Sequence, residues 1–374
     1  MKTILSAVGL LLLATVQALA SAYSDFNAGL SARLHHPDLA IGYFTSALAD
    51  PALLASLRPV ALLDRGGCYF LNKQYDLALA DMSASLALQP DYDAYMYRGL
   101  VYYRLHKFDA ALADFSAAVA MRSDVPKGFF IRMNFEMEIK QYREAVADGV
   151  ALVALEPDSG NYAALATANR LSGDYAAALS AADTAISLDA NSSAPRFTKA
   201  TVLESAGRLE EALDAVNDAL KYRPLSILGP MKKGIVQWEL QRYDAAAQTF
   251  ADAFTVQRTN AYAHLWLTIT RNAAHIEDSD AAERATHIDK TAWPAPLIAL
   301  YQGASTPAKV MAAAHANPAS ETGQVCEAEF YTAQWHVMRG KPDAAKALLA
   351  DAVRDCPFGF VEAPAAANQL KALP

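Results

Sequence analysis

Apolar residues along most of this chain recur every three or four positions, the spacing that lays one stripe along an α-helix. A longer period is superposed on that short one. A ring or leucine that follows a polar or basic residue stands at Tyr75, Phe108, Tyr142, Tyr175, Leu209 and Tyr243, at intervals of 33, 34, 33, 34 and 34 residues. Three residues after each comes Ala78, Ala111, Ala145, Ala178, Ala212 or Ala246. Nine before each comes Gly66, Gly99, Met133, Ala166, Ala200 or Gly234, and Pro90, Pro157 and Pro224 close alternate units. The pattern predicts two antiparallel helices per unit, because small residues at a crossing let two backbones approach while a ring fills the wedge beside them. Proline ends a unit because it cannot continue the second helix.

Units are expected at 59–91, 92–125, 126–158, 159–192, 193–226 and 227–260. An earlier one at 21–58 keeps Ala40, Phe44 and Ala47 in register around a four-residue insertion near Asp50–Arg58. Beyond Asn260 the pattern weakens to one helix over Tyr262–Asn272, a charged stretch, and the Trp293-Pro294-Ala295-Pro296 run. The period returns over Cys326–Pro357, with Gly340, Ala345, Leu349 and Ala352 in place, and 360–374 is expected to be a capping helix. The organisation read from the chain is thus a leader at 1–20, about seven repeats at 21–260, a degenerate helical segment at 261–325, and a last unit with its cap at 326–374.

Composition adds that this is folded protein: 374 residues, 53% hydrophobic and 19% charged, with a mean hydropathy of +0.08. The first twenty residues have a basic start at Lys2, an apolar run from Ile4 to Ala14, and an Ala18-Leu19-Ala20 end. They predict a secretory signal peptide and hence a soluble, exported, periplasmic protein of a Gram-negative bacterium. Ser21-Ala22 follow, so no cysteine is placed for lipidation, and no membrane anchor is expected. A net charge of −8, with no basic run longer than Lys232-Lys233, disfavours nucleic acid. Three cysteines without a CxxC spacing form neither a disulfide framework nor a zinc site. No hydrolase, metalloprotease, dinucleotide or phosphate-loop motif occurs, so neither enzymatic activity nor a cofactor is expected. His35-His36 reads as a pair of turn histidines, and Asp278-Ser279-Asp280 as a solvated helix start.

The small residue, ring, alanine and terminal proline at a 34-residue period resemble the tetratricopeptide repeat. The tail further resembles NlpI-like periplasmic repeat proteins in Leu265-Trp266-Leu267, Trp293, Tyr301-Gln302-Gly303, Cys326 to Tyr331, Arg339-Gly340 and Phe360-Val361-Glu362. The resemblance implies an all-α fold, an α-solenoid wound as a right-handed superhelix, whose concave face is built from the first helix of each unit. It further implies a non-catalytic adaptor that binds other proteins or peptides, envelope hydrolases among them. The groove positions are then Phe70, Met96, Tyr103, Arg104, Phe130, Asn134, Met137, Arg170, Phe197, Glu204, Met231, Trp238 and Glu239. Aromatic and methionine side chains with a few polar ones suit an extended peptide or an amphipathic helix. Phe130 and Asn134 stand where repeats that clamp a C-terminal carboxylate carry lysine and asparagine, which disfavours that mode. Cys326 opens the first helix of its unit and Cys356 closes the second, so the two are expected to be bonded. Cys68, inside a first helix, is expected to be buried and inert. Two other roles compete: a structural envelope component that forms a homodimer through its N-terminal unit, and an enzyme whose site gathers Glu277, Asp280, His287 and Trp293.

Overall fold

The computed structural model describes residues 21–222, 227–318, 320–357 and 359–373; the expected leader and Pro224 lie outside them. Among the described residues every regular element is helical. They form two compact units, Met1–Glu156 and Pro157–Pro374. Unit 1 comprises α1 (21–32), α2 (Pro37–Ala49), α3 (Arg58–Leu71), α4 (Tyr75–Leu88), α5 (Tyr92–Arg104), α6 (Phe108–Met121), α7 (Pro126–Glu138) and α8 (Tyr142–Leu155). Unit 2 begins with three hairpins of the same kind: α9 (Ser159–Ser172) with α10 (Tyr175–Leu188), α11 (Ala194–Ser205) with α12 (Leu209–Leu220), and α13 (Leu228–Glu239) with α14 (Tyr243–Val256). It continues through α15 (Ala261–Ala273), the short α16 (Ala281–Arg284), α17 (Ala295–Tyr301), α18 (Pro307–Ala314), α19 (Glu321–Val337), α20 (Pro342–Asp355) and α21 (Glu362–Ala372). In each unit consecutive helices pack on one another, the stacking of an α-solenoid.

In the six hairpins from α3–α4 to α13–α14 the crossing falls on a pair of positions sixteen residues apart. Gly99 faces Phe115 and Gly234 faces Phe250 so closely that a Cβ on either glycine would sit 2.6 Å from the ring. Gly66 likewise meets Met82, and the equivalent positions in the other hairpins are Met133 and Gly149, Ala166 and Ala182, and Ala200 and Val216. Their side chains, from Met82 and Phe115 to Val216 and Phe250, are buried, so the crossing is filled in every case. In the hairpin with Met133 the large and small partners have changed helices. The ring that fills the crossing stands seven residues after the periodic anchor; the anchors Phe108 and Tyr175 are themselves exposed at the turns.

The turns share one backbone device. Lys73, His106, Lys140, Gly173, Gly207 and Gln241, each two residues before an anchor, all have positive φ, so the first helix stops and the chain reverses. Only two of the six are glycine, and the other four hold a conformation that L-residues adopt reluctantly. The insertion in the first unit is held by Arg58, which donates to Leu48 O at 3.0 Å and to Asp50 O at 2.9 Å, satisfying carbonyls at the end of α2.

Cys326 and Cys356 are joined by a disulfide across the α19–α20 hairpin, with Cα atoms 4.7 Å apart. Cys68 is buried, and burial pushes its thiol up to about 11. The C-terminal helix α21 packs on α20, as a cap does, and also contacts α19 and α13, more than 120 residues earlier in the chain. No helix among the described residues is long and apolar enough to cross a membrane.

Candidate functional site

In unit 1 the first helices carry a row of paired arginines that sequence reasoning did not single out. Arg65, Arg98 and Arg132 each donate through Nε and Nη2 to both oxygens of Asp81, Asp114 and Asp148, at 2.7–2.8 Å. Each aspartate lies sixteen residues after its arginine, one position before the crossing pair. The fork-on-fork geometry fixes the rotation of the second helix against the first. Tyr95 and Tyr102 flank Arg98, each ring centroid 5.7 Å from the guanidinium carbon. The recurring arginine and aspartate were the available signal. Glu136, one turn beyond Arg132, is buried, and burial, then the Asp148 charge, push its carboxyl up to about 8.

Around that row lie the expected binding positions of unit 1. Phe130 is 43% exposed on α7, with Asn134 one turn on donating to the Phe130 carbonyl at 2.7 Å. Three exposed side chains of the same first helices were not among the expected positions: Tyr97 of α5, 42% exposed, and Val60 and Leu71 of α3, 42% and 55% exposed. The Tyr103 hydroxyl donates to Glu138 at 2.8 Å while its ring meets Phe135 edge-on at 5.8 Å. Arg104 is exposed, its guanidinium 5.5 Å from the Tyr103 ring. Phe70 is half-buried against Tyr75. Met96 and Met137 are buried and not offered to solvent: Met96 belongs to the cluster around Phe115 and Phe135. Their helical spacing marked an inward face, and packing between hairpins closes that part of it.

Unit 2 treats the corresponding positions differently. Trp238 is buried, its ring edge-on to Trp266 at 5.5 Å, and Glu204 is buried with one oxygen on the Lys232 ammonium. Those two side chains, like the two methionines of unit 1, serve the interior. Arg170 is half-buried and donates to Ser205 at 3.3 Å, and Phe197 is half-buried. Burial, then the Glu204 charge, push Glu239 up to about 8, with Asn368 of α21 beside it. Gln369 of the same helix donates to Gln334 of α19 at 2.9 Å. The last helix therefore occupies the neighbourhood of Glu239. Met231 lines a cavity of about 350 Å³ between α13, α15, α19 and the 359–362 segment.

The residues of the rival catalytic site are engaged separately. Asp280 pairs with Arg271 and Arg284, Trp293 donates through Nε1 to Glu327, and His287 lies 3.9 Å from Glu283. Glu277 is exposed. Beside them is a hollow of about 780 Å³ lined by Asp289, Lys290, Trp293, Gln302, Asn317 and Gln324, whose walls present amides, a ring and a single acid and base. His264 is buried nearby; burial, then the Arg284 charge, hold its pKa down to about 4, so the ring is neutral. No group of three or more His, Cys, Asp or Glu side chains among the described residues is placed to hold a metal.

The family model described as tetratricopeptide repeat matches residues 31–93, 74–126 and 163–227. A tetratricopeptide repeat protein from Parabacteroides merdae superposes with a TM-score of 0.50 at 14% identity, over 68% of this chain and 99% of that one. A thermophilic repeat protein from Thermus thermophilus gives a TM-score of 0.39 at 19% identity, over 48% of this chain and 98% of that one. YrrB, a repeat protein with an unusual peptide-binding site, gives 0.37 at 17% identity over 49% and 95%. Among curated proteins, none matches the sequence.

Proposed function

This chain is a tetratricopeptide repeat protein, and from that premise we propose that it is a non-catalytic periplasmic adaptor that holds protein or peptide partners on its first-helix surfaces. The observation that carries the reading is the exposure of Val60, Leu71, Tyr97 and Phe130 on the first helices of unit 1, beside a set of polar groups. Large apolar side chains left in water beside Arg104, Asn134 and the Tyr103–Glu138 pair supply both burial area and hydrogen-bond partners to an incoming chain. The bidentate Arg–Asp row beneath fixes these helices, so little order has to be gained on binding. Export rests on the leader-like first twenty residues, and envelope factors are the partners such a location would offer.

Photo-crosslinking in the native cell tests this. A benzophenone residue at Tyr97 or Phe130 is expected to capture a discrete partner band. The same residue at Val150, exposed on the second helix α8, is expected not to. Equal capture from all three positions would remove the first-helix surface as the site.

A further inference from the structure

The 350 Å³ cavity of unit 2 has a composition that packing alone does not require. The carboxyls of Glu327 and Glu362 face it together with the rings of Tyr262, Trp266, Tyr331 and Phe360. Tyr262 donates to Glu327 at 2.8 Å, Trp293 donates to the same carboxyl, and Tyr331 donates to Glu362 at 3.3 Å. These partners are all neutral. The one base on the wall among the described residues, Lys232, is held by Glu204. Two carboxyls withdrawn from water without a cation are unfavourable, and burial accordingly pushes Glu362 up to about 7 and Glu327 above the ordinary carboxylate range.

We propose that this cavity receives a lysine side chain from a bound polypeptide, its alkyl stem against Met231 and Ile235 and its ammonium beside Glu327 and Glu362. Charge complementarity is the first reason, since a cation gives both acids the partner they lack. The aliphatic wall of α13 suits a methylene stem. The volume lies at the low end for ligand sites and is ample for one side chain. The inference rests on the adaptor reading and narrows the partner to one that presents an accessible lysine.

The test follows the Trp293 indole N–H, which reports on Glu327, by two-dimensional NMR of the full chain. The titrants are an acetylated and amidated Ala-Lys-Ala peptide and its norleucine and Nε-acetyl-lysine counterparts. The lysine peptide is expected to give a saturable shift, with both neutral peptides at least about tenfold weaker. Glu327→Gln and Glu362→Gln should each weaken the lysine peptide about tenfold. Equal response to lysine and norleucine, no response to lysine, or a response that survives both substitutions together overturns the proposal. Should the double variant not fold, the wild-type discrimination between lysine and norleucine decides. If crosslinking from Phe130 persists while the lysine peptide gives no shift, the cavity assignment falls alone. If the shift is present and Phe130 captures nothing, the adaptor reading of unit 1 falls instead.

Discussion

Units 1 and 2 are built from the same hairpin but held by different means. In unit 1, three bidentate Arg–Asp pairs repeat at the period of the fold, and the exposed Tyr97 and Phe130 stand over them. In the first hairpin of unit 2 the positions of Arg65 and Asp81 become Leu165 and Ala181, and the ion pairs further on, such as Lys232–Glu204 and Arg284–Asp278, follow no such period. There the interior relies on a Trp238–Trp266–Phe330–Tyr331 ring cluster and a disulfide, and α21 is laid against α13 and α19. The difference teaches that one repeat geometry tolerates either a periodic row of ion pairs or an irregular mixture of rings, ion pairs and a disulfide.

Removing one member of an Arg–Asp pair should do most to break this contrast. Asp114→Ala leaves the mostly buried Arg98 without its partner and is expected to cost about 3–5 kcal/mol in chemical denaturation. Arg98→Met with Asp114→Leu should restore most of the loss, because an apolar pair of similar size needs no desolvated charge. If Asp114→Ala costs no more than an exposed ion pair, the row is decorative and the two units are alike.

Breaking the Cys326–Cys356 bond comes next. With a sequence separation of 30 between the two cysteines, reduction or replacement of both by serine should cost about 3.5–4 kcal/mol on the chain-entropy estimate. Hydrogen exchange should quicken over α19–α21 and leave α3–α8 unchanged. A uniform acceleration across both units would erase the distinction.

The smallest effect is the pH dependence. The most strongly raised carboxyls are Glu136 in unit 1, at about 8, and Glu239, Glu329 and Glu362 in unit 2, at about 8, 7 and 7. Each has a folded pKa above its unfolded value of about 4.3. Its stabilising contribution is therefore full below pH ~4.3 and is lost as pH rises through 7 to 8. Glu362→Gln should consequently stabilise unit 2 at pH 8.5 by about 1–3 kcal/mol, with the gain vanishing towards pH 4, read from thermal midpoints at both pH values. A gain that does not depend on pH would mean that Glu362 is not titrating in this range.

The hairpins were legible because their signal is local. The anchors mark the turns, and the small residue nine positions earlier marks the crossing. The crossing partner was less visible because its size varies reciprocally, as Met133 with Gly149 against Gly99 with Phe115 illustrates. Binding positions were harder still. Phe130 and Tyr103 lie near solvent while Met96, Met137, Glu204 and Trp238 do not, and helical spacing alone cannot tell an inward face from a packed one.

By itself the sequence determined the hairpin, its period and the crossings, since each depends on residues no more than about one repeat apart. It also placed Cys326 and Cys356 at the two ends of one hairpin. Only the tertiary structure decided that α21 returns to α13 and that Glu327, Glu362, Tyr262 and Phe360 share one cavity. The physical reason is that such meetings sum the small rotation and shift of every intervening helix, and no stretch of sequence short enough to show a pattern contains that sum.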